Sequence, residues 1–320
     1  MKHVVLGVDI GGTFTKFGIV ERDGNMLMEG NISTDAYDNI VDFQKALYEA
    51  IEKAMAPLKG TVEIKGAGFG APNGNFYKGT IEYAPNLKWK GVIHFAELFK
   101  KFYPNIPVLL TNDANAAAIG EGIYGGAIGM RDYIVITLGT GLGSGIVANG
   151  EMIYGFDGFA GELGHVIVDR HGRTCGCGRK GCLETYCSAT GMKRTAFQLL
   201  CDMTEESELR QYNYFELNSE KIYDAALRND PIALQAFEMT GKILGEMLAD
   251  FVAGTTPEAI FLFGGLAKSG ELLFKPTREH FEKNLLNIYK NKIKILPSGL
   301  QNKNTAVMGA AALVWKELSR

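Results

Sequence analysis

Residues 9–16 read Asp-Ile-Gly-Gly-Thr-Phe-Thr-Lys, and residues 137–145 read Thr-Leu-Gly-Thr-Gly-Leu-Gly-Ser-Gly. Each stretch sits in the same local pattern. The apolar run His3 to Ile10 leads into the first, the run Phe14 to Glu21 follows at once, and Asp23-Gly24 turns the chain into Asn25 to Ile32. Strands joined this tightly are antiparallel neighbours. Asp132 to Leu138 leads into the second stretch, Ile146 to Asn149 follows, and Asn149-Gly150 turns the chain into Met152 to Tyr154. A strand, a glycine turn, a second strand and a hairpin therefore occur twice. This duplication predicts two α/β lobes of similar topology, each offering a glycine turn to one nucleotide between them.

Between and beyond the two copies, helical spacing of Ile40, Phe43, Leu47, Ile51 and Met55 predicts a helix over 37–56, stopped at Pro57. Val62 to Phe69 reads as a strand ending in Gly70-Ala71-Pro72-Asn73-Gly74, Val92 to Phe102 as a helix, and Val108 to Thr111 as a short strand ending at Asn112-Asp113. Met203 to Lys221 is charged and reads as an exposed excursion. Asp230-Pro231 starts a helix running to about Ala253, Ala259 to Phe263 is a buried strand ending in Gly264-Gly265, and a small-residue helix covers 305–318. The expected division is a small lobe over 1–118 and a larger one over 119–304, with the last helix returning to the first lobe.

Composition narrows the function classes. A net charge of -3 gives no basic signature for nucleic acid. No apolar run approaches membrane-spanning length, and MKHVVLGVDIGG reads as a first strand and not as a signal peptide, so a cytoplasmic protein is expected. Glycine is over-represented, at 40 of 320 residues, and clusters at strand–turn positions where backbone must approach a ligand or a neighbour closely. In a chain without an export signal, Cys175, Cys177 and Cys182 read as metal ligands before they read as disulfides.

Four constellations carry candidate chemistry. In the first, Gly11 and Gly12 let backbone N–H groups approach phosphate oxygens, Thr13 adds a hydroxyl, Lys16 adds charge, and Asp9 is placed to hold Mg²⁺ through water. The second is the turn around Thr140 and Gly141. A strand follows it where a dinucleotide fingerprint requires a helix, and no P-loop pattern exists in the chain. In the third, Asp113 stands at a strand end and a helix start. It reads either as a plain N-terminal capping residue or as a general base for a substrate hydroxyl, with Asn112 orienting the substrate. In the fourth, His165 and the three cysteines supply one imidazole and three thiolates, a closed set suited to a structural zinc ion. Glu162 and Glu184 flank this cluster as acceptors for vicinal hydroxyls, and His165 has a second ring nitrogen free to reach a hydroxyl. Cys187 and Cys201 read as buried small apolar residues.

Together these motifs resemble the ROK family (repressor, open reading frame, kinase) within the actin-like sugar kinase superfamily. Gly161 to Glu184 is the most specific element of the match. The resemblance implies two actin-like, ribonuclease H-like lobes around a cleft, ATP with Mg²⁺ as donor, a structural zinc, and a hexose or N-acetylhexosamine as acceptor, glucose first by prevalence in the family. By motif position it implies sugar contacts at Asn86, Asn112, Asp113, Glu162, His165 and Glu184, zinc ligation by His165, Cys175, Cys177 and Cys182, and adenosine contact at Gly264 and Gly265. The loop holding Asn73 and Gly74, also assigned to the sugar, departs from the Pro-Gly of many family glucokinases. Similar proteins are often homodimers. Family repressors resemble the kinases with a helix-turn-helix ahead of the first phosphate strand, and with that strand starting at residue 3 no such segment is expected here. A non-catalytic sugar-binding protein is the remaining alternative.

Overall fold

The duplicated pattern builds two five-stranded sheets of the same topology. In the computed structural model, which describes residues 1–300 and 304–319, β1 (Lys2–Ile10), β2 (Phe14–Glu21) and β3 (Met26–Ser33) form an antiparallel meander. Helix α1 (Ile40–Met55) follows, capped by the Asn39 side chain and burying Phe43, Leu47, Ile51 and Met55. β4 (Val62–Gly70) pairs parallel to β1. The short strands β5 (Gly74–Asn75), β6 (Thr80–Glu82) and β7 (Val92–Ile93) make a separate three-stranded sheet. Helix α2 (Phe95–Lys100) leads to β8 (Val108–Thr111), parallel to β4, and then to α3 (Asp113–Tyr124). The first sheet is thus ordered β3-β2-β1-β4-β8.

The second half repeats the plan. β9 (Tyr133–Leu138), β10 (Leu142–Ala148) and β11 (Glu151–Met152) are antiparallel neighbours. An irregular segment then leads to α4 (Glu184–Cys187), α5 (Ala189–Asp202), α6 (Ser219–Leu227) and α7 (Pro231–Thr255). Asp230 caps α7 and Pro231 opens it. β12 (Ala259–Phe263) adds parallel to β9, α8 (Glu271–Asn284) crosses back, and β13 (Lys294–Pro297) completes the order β11-β10-β9-β12-β13. Each half has its own apolar core, one around Phe17, Phe43, Phe69 and Phe99, the other around Ile136, Leu183, Phe237 and Leu262.

The final helix α9 (Thr305–Leu318) packs on β1 and β4 of the first sheet and against α3. Two glycines permit this contact. A Cβ on Gly7 would lie 2.3 Å from the Val307 carbonyl oxygen, and one on Gly68 2.0 Å from that of Ala310. The position between residues 118 and 119 falls inside α3. Among the described residues, no helix is long and apolar enough to cross a membrane.

Three expectations are corrected. Residues 92–102 are not one helix, because Val92 and Ile93 pair with Glu82 and Ile81 before α2 begins. The 203–221 excursion is anchored, since Leu209 and Leu217 are buried in the second core. Cys187 is buried as expected, but Cys201, in the last turn of α5, is exposed.

Candidate active site

β1 and β8 both end at the same edge of the first sheet, with one carboxylate at the end of β1 and another just beyond β8. Asp9 closes β1 opposite Lys16 on β2. Asp113 opens α3, whose N-terminus is capped by Asn112, with Oδ1 accepting from Asn115 N at 2.6 Å. Burial and the negative charge of Asp113 push Asp9 up to about 7, with Lys16 working in the opposite sense. Asp113 is open to solvent yet surrounded by protein on nearly every side, as at the floor of a cleft. Desolvation there raises its pKa, opposed by the hydrogen bond that it accepts from Ala114 N at 2.9 Å. The plain capping reading of Asp113 is thus corrected, because Asn112 is the cap and Asp113 is the first residue of the helix.

Close backbone contacts gather the loops around this pair. Gly11 N donates to Phe14 O at 3.1 Å, which makes the first glycine turn tight. A Cβ on Gly12 would sit 2.7 Å from Asn86 O, so the Asn86 loop lies directly against that turn. A Cβ on Gly74 would sit 2.3 Å from Thr111 O, which places Gly74 beside the end of β8 and Asn112. Asn73 adopts a positive φ of 51°, and its Nδ2 donates to Glu82 O at 3.0 Å, so its amide nitrogen closes the 73–82 turn. Thr13 and Lys16 are exposed.

On the second sheet, Thr140 and Gly141 form the β9–β10 turn, with Gly143 N donating to Thr137 Oγ1 at 3.1 Å. Gly264, at φ 110°, and Gly265 follow β12 alongside it. A Cβ on Gly264 would meet Leu138 O at 2.5 Å. Thr140, Gly141, Gly264 and Gly265 thus share one sheet edge.

The cysteine-rich segment reaches this edge through Glu184. Its Oε2 accepts from Leu142 N at 3.0 Å, and its Oε1 lies 3.6 Å from Cys175 Sγ. The candidate metal ligands converge: the donor atoms of His165, Cys175, Cys177 and Cys182 all lie within 4.8 Å of one another. Cys175 Sγ is 3.7 Å from His165 Nδ1, and Cys177 Sγ is 3.6 Å from Cys182 Sγ. Tetrahedral zinc with bonds of about 2.3 Å to sulfur sets S···S edges near 3.8 Å, so the set fits that ion. His165 turns its other nitrogen, Nε2, to Glu162 Oε2 at 3.9 Å. Burial raises the Glu162 pKa, His165 lowers it, and both Asp113 and Glu184 raise it further. Glu162 therefore lies in the field of residues from both halves of the chain.

A family model of the ROK family matches residues 5–317. The chain belongs to the ROK family. It is 34% identical over 281 residues to a glucokinase of Halalkalibacterium halodurans, covering 87% of this chain and 84% of that protein. Its fold is similar to the crystal structure of a ROK family glucokinase from Streptomyces griseus in complex with glucose and AMPPNP. The TM-score there is 0.80 at 31% identity, with 97% of this chain and 98% of that one covered. It is also similar to a ROK family transcriptional regulator, a homolog of the E. coli MLC protein, with a TM-score of 0.86 at 25% identity over 99% of this chain and 79% of that one.

Within this ROK fold, two supporting groups escaped the sequence reading. Ser144 Oγ donates to Gly161 O and accepts from Leu163 N at 3.2 Å, tying the Glu162 segment to β10. Arg173 donates to Thr185 O at 2.9 Å and to Gly191 O at 3.1 Å, and stacks on Tyr186. Serine in a glycine run and one arginine among many carry no pattern that marks them in one dimension.

Proposed function

We propose that this ROK family chain is an ATP-dependent sugar kinase that transfers the γ-phosphoryl group of ATP to the 6-hydroxyl of a hexose, glucose first. One observation carries the reading. Asp113 is an exposed residue crowded by protein, and its charge reaches both Asp9 in the first half and Glu162 in the second, raising the pKa of each. The similarity to glucokinases in sequence and fold supports the same reading.

In this mechanism the sugar lies between Asn112, Asn86, Gly74 and Asn73 on one side and Glu162, His165 and Glu184 on the other. Asp113 accepts the proton of the attacking hydroxyl. Its raised pKa brings it nearer to the hydroxyl and makes it a better base than an exposed carboxylate. The turns at Gly11, Gly12, Thr13 and Lys16 and at Thr140 and Gly141 hold the phosphates, while Gly264 and Gly265 border the adenosine. Asp9 would hold Mg²⁺, whose positive charge would be supplied to the phosphates, and its place in the field of a second carboxylate, Asp113, suits that role. His165, Cys175, Cys177 and Cys182 would hold a zinc ion that, when bound, would fix the 165–184 segment and so orient His165 and Glu184. Excluding water as the two lobes close suppresses ATP hydrolysis. The proposed assembly is the homodimer that the family resemblance implies.

The runner-up acceptor is an N-acetylhexosamine or another hexose. A sugar-responsive regulator is the other class, favoured by the similarity to the ROK regulator. A coupled assay of ADP release over a panel of glucose, mannose, fructose, allose, N-acetylmannosamine and N-acetylglucosamine separates these readings. Sugar-dependent ADP with the highest kcat/KM for glucose is expected. Sugar binding with no ADP release for any sugar sinks the kinase reading.

A further inference from the structure

The polypeptide passes between the two sheets at two places among the described residues. It leaves the first half through α3 and residues 125–132, and it returns after β13 toward α9. Both passages meet at one side chain. Glu121, on α3 eight residues after Asp113, is 1% exposed. Its Oε1 accepts from Gly126 N at 2.6 Å on the outward passage and from Gly299 N at 2.7 Å on the return. Its Oε2 accepts from Ser298 Oγ at 2.5 Å. A buried carboxylate left unpaired is costly, and here neutral donors from both passages satisfy it. The glycines are required by the crowding. A Cβ on Gly299 would lie 2.5 Å from Gly126 N, and one on Gly125 2.5 Å from Glu121 Oε1.

We propose that Glu121 is a positioning residue for phosphoryl transfer, the pin that holds both inter-lobe passages to one pivot, so that the lobes close by rotation about it and bring Glu162 and the second glycine turn over Asp113. The inference rests on the kinase reading, in which closure precedes transfer. Small displacements at a pivot become large at the reacting groups, so an unpinned passage lets the lobes close without registering on the substrate. The pin acts by geometry. In Glu121→Gln the amide oxygen still takes the two backbone N–H groups and the amide nitrogen donates to Ser298 Oγ, so that variant retains the pivot. Glu121→Ala removes it, and Gly299→Ala forces the passages apart with the carboxylate intact.

The test pairs small-angle scattering with kinetics on the full chain, at a temperature where circular dichroism shows each variant folded. Wild type and Glu121→Gln are expected to compact on adding glucose with AMPPNP. Glu121→Ala and Gly299→Ala are expected to lose that compaction, with glucose KM raised and kcat lowered by roughly tenfold each, the scale of loss that a misplacement of about 1 Å at the reacting groups brings. Should neither variant fold, Ser298→Ala, which removes the Oε2 partner together with the acceptor of Leu300 N, carries the same comparison. The pin is overturned if the variants compact and turn over like wild type per folded molecule and only Tm falls, or if Glu121→Gln fails as Glu121→Ala does. A wild type that neither compacts nor turns over brings down the kinase reading and the pin with it, whereas normal wild-type behaviour matched by the variants removes the pin alone.

Discussion

Nε2 of His165 lies 3.9 Å from Oε2 of Glu162. The same imidazole faces Cys175 Sγ with Nδ1 at 3.7 Å, so one ring joins a candidate zinc cluster to a candidate sugar contact. A metal on Nδ1 would fix the ring and the direction of Nε2.

Cys177→Ser is therefore expected to abolish bound zinc, measured by elemental analysis of the purified protein, to lower Tm by roughly 5 °C or more, and to raise the sugar KM. Cys177 is exposed, so loss of packing does not account for a large effect. Stoichiometric zinc in the variant, or none in the wild type, contradicts the assignment.

Glu184 couples that cluster to the second glycine turn, because its Oε2 is bound to Leu142 N and a Cβ on Gly141 would come within 2.3 Å of the same oxygen. Gly141→Ala must displace the carboxylate or the turn. The variant is expected to lose kcat/KM for sugar by roughly tenfold to a hundredfold, a range matching about 1–3 kcal/mol for a disturbed charged hydrogen bond. Unchanged kinetics would show that the turn and Glu184 do not act together.

The carboxylate pair makes stability depend on pH. Asp9 is raised from 3.8 to about 7, first by burial and then by Asp113. The folded chain holds that proton where the unfolded chain has released it. The stabilising contribution is complete below the unfolded value and is lost as pH rises through about 7. Asp9→Asn stays neutral throughout, so without nucleotide it is expected to exceed wild type in Tm by roughly a few degrees near pH 8, with the gain shrinking as pH falls toward 4. A melting series by scanning fluorimetry checks this, and a pH-independent difference would refute the raised pKa of Asp9.

Much of the fold was legible because its units are short and local. β8 matches its sequence reading at Val108–Thr111, β12 at Ala259–Phe263, and α9 begins at Thr305, since apolar runs bounded by glycine, Asn-Asp or polar residues leave few alternatives. The duplicated sheet order follows from two hairpins of the same kind. Other features depend on partners distant in sequence. Val92 and Ile93 are strand because β6 is beside them, and Leu209 and Leu217 are buried because α5–α7 enclose an otherwise polar stretch. In the site, the residue types at Asp9, Asp113, His165 and the cysteines announce their chemistry. Glu121, Ser144 and Arg173 act by holding backbone from remote segments, and no local spacing encodes that.

The most direct measurement is the turnover of Asp113→Asn with ATP, Mg²⁺ and glucose, set beside glucose binding by calorimetry. The variant keeps the side-chain shape and an oxygen to accept from Ala114 N, and leaves the Asn112 cap of α3 untouched, but cannot accept the hydroxyl proton as a carboxylate does. Folding and glucose affinity within a few-fold of wild type are expected, with ADP release reduced by roughly a hundredfold or more. Near-normal ADP release from a variant that binds glucose normally would contradict the account.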